Sequence, residues 1–133
     1  MTGRAFEPSA PVGYAWAGEF LERYVRARTA VDVSSFVDLF LPDAELHADP
    51  FEAPLAGTNA IRAYLLQHAD EEADVDLTIE RHWVNGPTIL AAWHASFVRR
   101  RDRGHVREAG FLAAEIRQDR CSRLRIWAVR AMG

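Results

Sequence analysis

The hydrophobic period changes halfway along this chain, and that change limits the folds open to it. Before about residue 70 the apolar side chains recur every three or four positions. Trp16, Phe20 and Tyr24 lie four apart within Tyr14 to Thr29, and Ala17, Leu21 and Arg28 extend that face. Asp32 is placed to cap a second helix running through Phe40, with Val33, Phe36, Val37 and Phe40 inward and Pro42 ending it. Ala44 to Ala48 reads as a short strand and Phe51 to Ala56 as a loop. Thr58 can cap a third helix, with Ile61, Tyr64 and Leu65 on one face.

From residue 75 the period is two. Val75, Leu77, Ile79 and Trp83 alternate with Asp76, Thr78, Glu80 and His82, the pattern of a half-buried strand. Turns at Asn85-Gly86-Pro87, Asp102-Arg103-Gly104 and Gln118-Asp119-Arg120 separate three further strands: Thr88 to Arg101, Val106 to Arg117 and Cys121 to Arg130. Helices first and a strand meander second make an α+β chain. The architecture expected is a cone-shaped, curved antiparallel sheet wrapped around three N-terminal helices, with an open mouth where small molecules bind. The acidic run Asp70 to Asp74 reads as a solvated connector between the halves.

Composition removes several function classes. A chain of 133 residues suits one domain, read here as 13–133 behind a flexible arm over 1–12 that carries Gly3, Pro8 and Pro11. The net charge of −3 gives no case for nucleic acid, and the Arg99-Arg100-Arg101-Asp102-Arg103 run reads as a solvated hairpin tip. No apolar run approaches the ~18 residues of a membrane span, and no signal peptide opens the chain, which points to the cytoplasm. The single cysteine, Cys121, makes neither a disulfide pair nor a Cys-based zinc site and reads as a small buried hydrophobe. All sixteen basic residues are arginine, a bias that suggests a GC-rich bacterial genome.

Three segments carry a resemblance. They are the junction Phe40-Leu41-Pro42-Asp43-Ala44-Glu45-Leu46-His47-Ala48-Asp49-Pro50-Phe51, the helix start Gly57-Thr58-Asn59-Ala60-Ile61, and the closing strand Arg120 to Trp127. Together they resemble the nuclear transport factor 2-like superfamily, in its SnoaL-like and ketosteroid-isomerase-like branch, over roughly residues 14–130. The resemblance implies the cone fold and dimerisation through the outer face of the sheet. It also implies a cofactor-independent isomerase or cyclase acting next to a carbonyl on an apolar polycyclic or polyketide-like substrate. Asp49 falls at the place of the isomerases' catalytic base and Tyr24 at that of their oxyanion tyrosine. The isomerases' third group, a protonated acid, falls near Phe111 or Leu112, both apolar.

Each candidate has a plainer reading beside the functional one. Asp49 is a general base if Pro50 and Phe51 enclose it, or a turn residue bonding nearby backbone N–H groups. Tyr24 is an enolate donor or a core aromatic, and the two are compatible. His47 shares a strand face with Asp49 and could orient it, or be a half-exposed histidine; two such groups are too few to argue a metal. Substrate contacts are expected from His47, Trp16, Phe20, Phe51, Trp93, Phe97, Phe111 and Trp127. On the fourth strand either Trp93 and Phe97 face the cone or His94 and Ser96 do, with Glu108 joining His94 in the second case; a one-residue slip exchanges the answers. The first case is the one adopted. A non-catalytic domain that binds a small ligand or another protein is the alternative function.

Overall fold

A computed structural model describes residues 10–132 of the chain, so most of the expected N-terminal arm lies outside the described residues. Helix α1 spans Tyr14–Ala30 and α2 spans Val33–Asp38. The Asp32 carboxylate caps α2, accepting from the Ser35 backbone N–H at 3.2 Å. The helix ends earlier than its apolar pattern suggested. The chain is already extended at Phe40, so Pro42 lies inside strand β1 (Phe40–His47) instead of terminating α2.

Two residues of the expected loop, Leu55–Ala56, form strand β2 on β1. Helix α3 spans Thr58–Glu71, but its N-cap is Gly57, and no side chain caps it. At φ 88° Gly57 occupies backbone space that favours glycine, and its N–H reaches the Ala44 carbonyl at 2.9 Å. Strands β3 (Glu72–Asn85), β4 (Thr88–Arg99), β5 (His105–Arg117) and β6 (Arg120–Met132) complete one six-stranded sheet in the order β2-β1-β6-β5-β4-β3. The sheet is mixed rather than wholly antiparallel, because β1 runs parallel to β6.

Alternation along each strand gives the sheet two faces. Ile89, Ala91, Trp93 and Phe97 of β4, and Leu112 and Ala114 of β5, turn toward the helices and are buried. The register shift between Ile79 and Arg81 breaks the alternation in β3. Trp83 therefore leaves the face of Leu77 and Ile79. It sits 5.8 Å from the Phe111 ring, with Arg81 over it at 5.1 Å. Gly110 marks the tightest approach of β5 to β6: a Cβ there would stand 1.8 Å from the Trp127 carbonyl oxygen.

The core joins Phe20, Leu21 and Tyr24 of α1, Phe36 of α2, and Ile61 and Leu65 of α3 to the concave sheet. Cys121 is buried within it, as the sequence suggested, and burial pushes its thiol up to about 12. The acidic run departs from its reading as a solvated connector. Asp70 and Glu71 end α3, while Glu72 starts β3 and is buried.

Candidate active site

The helices do not fill the cone. Between α1, α3 and the concave sheet lies a cavity of about 170 Å³. Leu77, Trp93, Phe97, Leu112 and Ile126 supply apolar wall; Tyr24 and Arg28 come from α1, and Tyr64 and His68 from α3. Glu108 and Arg130 border it from β5 and β6. An engineered apolar cavity of about 150 Å³ holds benzene, so a space of this volume suits one ring.

The polar end is built on Glu72. Its carboxylate accepts from Arg28 Nη2 at 3.0 Å through Oε1 and lies 2.9 Å from His68 Nδ1 through Oε2. Arg28 Nη2 also stands 3.1 Å from His68 Nδ1. The Glu72 contact calls for a proton on Nδ1 and the Arg28 contact for a lone pair there; in the Nδ1–H tautomer, Nε2 is the basic nitrogen of the neutral ring. Glu72 itself does not line the cavity; it stands behind His68, which does. Burial pushes the Glu72 carboxyl up, but the His68 hydrogen bond and the Arg28 charge outweigh that and hold it below its ordinary 4.5.

Both cavity tyrosines are raised above their ordinary value. Burial is the main cause, and the nearby Arg28 charge opposes it only in part. They stay protonated at neutral pH and act as donors. Trp93 adds a buried indole N–H with no hydrogen-bond partner among the described residues.

Some sequence-predicted residues meet here and others do not. Tyr24, Trp93 and Phe97 line the cavity as expected. His94 points to the opposite face, 2.6 Å from Glu80, while Glu108 faces the cavity without it. Asp49 is not enclosed: it is exposed, and its Oδ1 accepts from the Phe51 N–H at 2.8 Å, the turn geometry of its plainer reading. Phe51 is 95% exposed, so it walls no pocket.

His47 is half-buried beside Glu45 at 3.1 Å, away from the cavity. Trp16 and Phe20 stack on each other within the helix packing and do not line the cavity. Phe111 and Trp127 are exposed on the outer face, because Leu112 and Ile126 take the inward positions of β5 and β6. The residues that sequence reasoning missed are His68, Glu72 and Tyr64 as polar groups. The available signal was Arg28 on the buried stripe of α1, since a buried arginine requires a carboxylate. Among the described residues no His, Cys, Asp and Glu cluster could hold a metal ion.

Solved structures share this architecture. An epoxide hydrolase/cyclase-like enzyme, SalBIII, of pyran ring formation in the polyether salinomycin superposes with TM-score 0.79 at 17% identity, over 88% of this chain and 95% of that one. A Mycobacterium tuberculosis LEH-like epoxide hydrolase gives TM-score 0.73 at 13% identity, over 86% and 84%. A protein from Shewanella denitrificans OS-217, named for its likeness to SnoaL polyketide cyclases, gives 0.74 at 14%, over 85% and 90%. At these identities the likeness shows the fold alone. No curated protein matches the chain in sequence. The model of the SnoaL-like domain matches residues 21–124, most of the chain, and the chain therefore belongs to the SnoaL-like domain family.

Proposed function

We propose that the protein is an enzyme that moves a proton next to a carbonyl on a small apolar compound, isomerising or cyclising it without a cofactor. The observation that carries this reading is a histidine in an apolar cavity with a buried carboxylate engaging its Nδ1. His68 Nε2 takes the α-proton, and Glu72 stabilises the imidazolium that forms. The electron pair moves onto the carbonyl oxygen. Tyr24, Tyr64 and Arg28 are the donors at hand for that oxyanion. Returning the proton at another carbon completes an isomerisation, whereas attack of the enolate on a second carbonyl closes a ring. His68 thus takes the role that the resemblance assigned to Asp49.

The cavity's size bears on the substrate. One ring fits the cavity, so a polycyclic or polyketide-like compound would insert one end and leave the rest at the mouth. Two of the similar structures are named for epoxide hydrolases, which makes epoxide opening the neighbouring chemistry, with the same base activating a water. The outer sheet face exposes Phe111, Trp127 and Val129, and we read it as a homodimer contact, measurable by sedimentation.

The test uses 3-cyclohexenone, whose isomerisation to the conjugated enone is followed by ultraviolet absorbance. Wild type is expected to convert it above background, His68→Ala to lose at least a hundredfold in rate, and Asp49→Asn to stay within twofold. Full activity in His68→Ala would sink the assignment. The second reading, a non-catalytic ligand-binding domain, is favoured by the position of Asp49 outside the cavity. It predicts binding of the enone with no conversion by wild type.

A further inference from the structure

The proposed reaction makes no use of the arginine run Arg99-Arg100-Arg101-Asp102-Arg103. Folding brings the start of that run to the rim of the cone. Arg100 is fixed against the end of α3. Its backbone N–H donates to the Glu71 carbonyl at 2.9 Å, and its Nε to the Ala69 and Glu72 carbonyls at 3.1 and 3.0 Å. Arg99 is held by Asp102, through Nε at 2.9 Å and Nη2 at 2.8 Å. Arg99, Arg100 and Arg101 line a rim pocket of about 490 Å³ together with Asp70, Glu71 and Arg130. Helix α3 packs on the concave side of the sheet, so the rim pocket and the cavity lie on the same side.

Among the described residues, Arg130 is the side chain common to the cavity and the rim pocket. Its Cα partner on β5 is Glu108, which also borders the cavity. Arg130 Nε and Nη2 both donate to one oxygen, Glu108 Oε2, at 2.9 and 2.6 Å. The guanidinium stands 5.5 Å from the centre of the Phe97 ring, itself cavity wall. These contacts occupy one edge and one face of the group. The end fork, made of Nη1 and the second N–H of Nη2, has no partner among the described residues. With the side chain 49% exposed, that fork meets water, which a ligand can displace.

We propose that Arg130 is an anion anchor at the cavity's mouth, and that the compound bound there carries a carboxylate. The inference rests on reading the cavity as the ligand site, and it adds a charged end to an otherwise apolar compound. The ring enters the cone, and the carboxylate stays at the rim on the Arg130 fork. A guanidinium fork matches the two oxygens of a carboxylate. Glu108 repels a second carboxylate, and the arginines of the rim offset it. Four arginines against two carboxylates line the rim pocket, an excess of positive charge on a chain whose net charge is −3.

The experiment titrates ¹⁵N-labelled protein with (3-oxocyclohexyl)acetate and with its methyl ester, reading cavity amides such as Trp93 and Leu112. Wild type should bind the acid about tenfold tighter than the ester at low salt, and salt at about 0.5 M should narrow the difference. Arg130→Gln should weaken the acid, leave the ester within about threefold, and bring the two within about twofold of each other. Equal binding of acid and ester by wild type would overturn the anchor and leave the cavity reading intact, and this comparison needs no variant. An acid preference retained in folded Arg130→Gln would also overturn it. Failure of both compounds to shift any cavity amide in wild type would defeat the cavity reading, and the anchor with it.

Discussion

Replacing Glu72 with alanine should be among the most damaging single changes outside the aromatic core. The Glu72 side chain is 5% exposed and Arg28 12%, so removing the carboxylate strands a guanidinium where water can hardly reach it. Two charge-assisted contacts disappear, to Arg28 and to His68, each worth about 1.5–3 kcal/mol. Loss of one partner of a buried pair generally costs about 3–5 kcal/mol, and that range is adopted here. An unfolding entropy of about 2.1 cal/mol/K per residue gives roughly 0.28 kcal/mol/K for 133 residues. The expected fall in Tm is therefore about 11–18 °C, read by circular dichroism.

Replacing both partners, in Glu72→Ala/Arg28→Met, should recover a large part of the loss, since no charge then remains buried. The pH profile provides a second reading. The folded Glu72 carboxyl lies below its unfolded value, so its contribution is present above about pH 4.5 and is lost as pH falls through the folded value. Glu72→Ala should lack that acid-side decline. A fall in Tm under about 3 °C, or an unchanged acid limb, would refute the reasoning.

Two further outcomes test the surrounding structure. Gly110→Ala should fail to fold or lose most of its melting transition, because the added Cβ falls on the Trp127 carbonyl and neither strand can retreat without breaking β5–β6 pairing. Asp49→Asn should leave the melting temperature within about 2 °C, since the residue is exposed and asparagine can make the same turn bond; a larger loss would give Asp49 a structural weight the fold does not explain.

The period change alone made the order of helices and strands readable. Between Thr88 and Arg101 the alternation left two faces possible, and the structure turns Trp93 and Phe97 inward. What stayed hidden depended on contacts distant in sequence. Glu72 sits in a run of acids, and nothing local separates it from Glu71. Its burial is imposed by Arg28, 44 positions earlier. The local pattern was also misleading at Trp83, where a register shift after Ile79 moves the indole to the outer face. Phe111 and Trp127 were expected among the substrate contacts, whereas the smaller neighbours Leu112 and Ile126 hold the inward positions. Asp49 was legible as an Asp-Pro turn, and its surroundings were not.

The parallel pairing of β1 with β6 bears on how the chain reaches its native state. Phe40 pairs with Cys121, and the Leu39 carbonyl accepts from the Cys121 N–H at 2.7 Å, so this seam closes a loop of some eighty residues. During synthesis β1 has only the two residues of β2 for a sheet partner until the last strand has left the ribosome. The β3 to β6 meander pairs only sequence neighbours and can assemble earlier. Until the seam closes, the inner edge of β6 and the apolar face of β1 stay open to other chains. Shortening the chain before Cys121 would make that exposure permanent, and aggregation rather than a smaller folded domain is the outcome to expect.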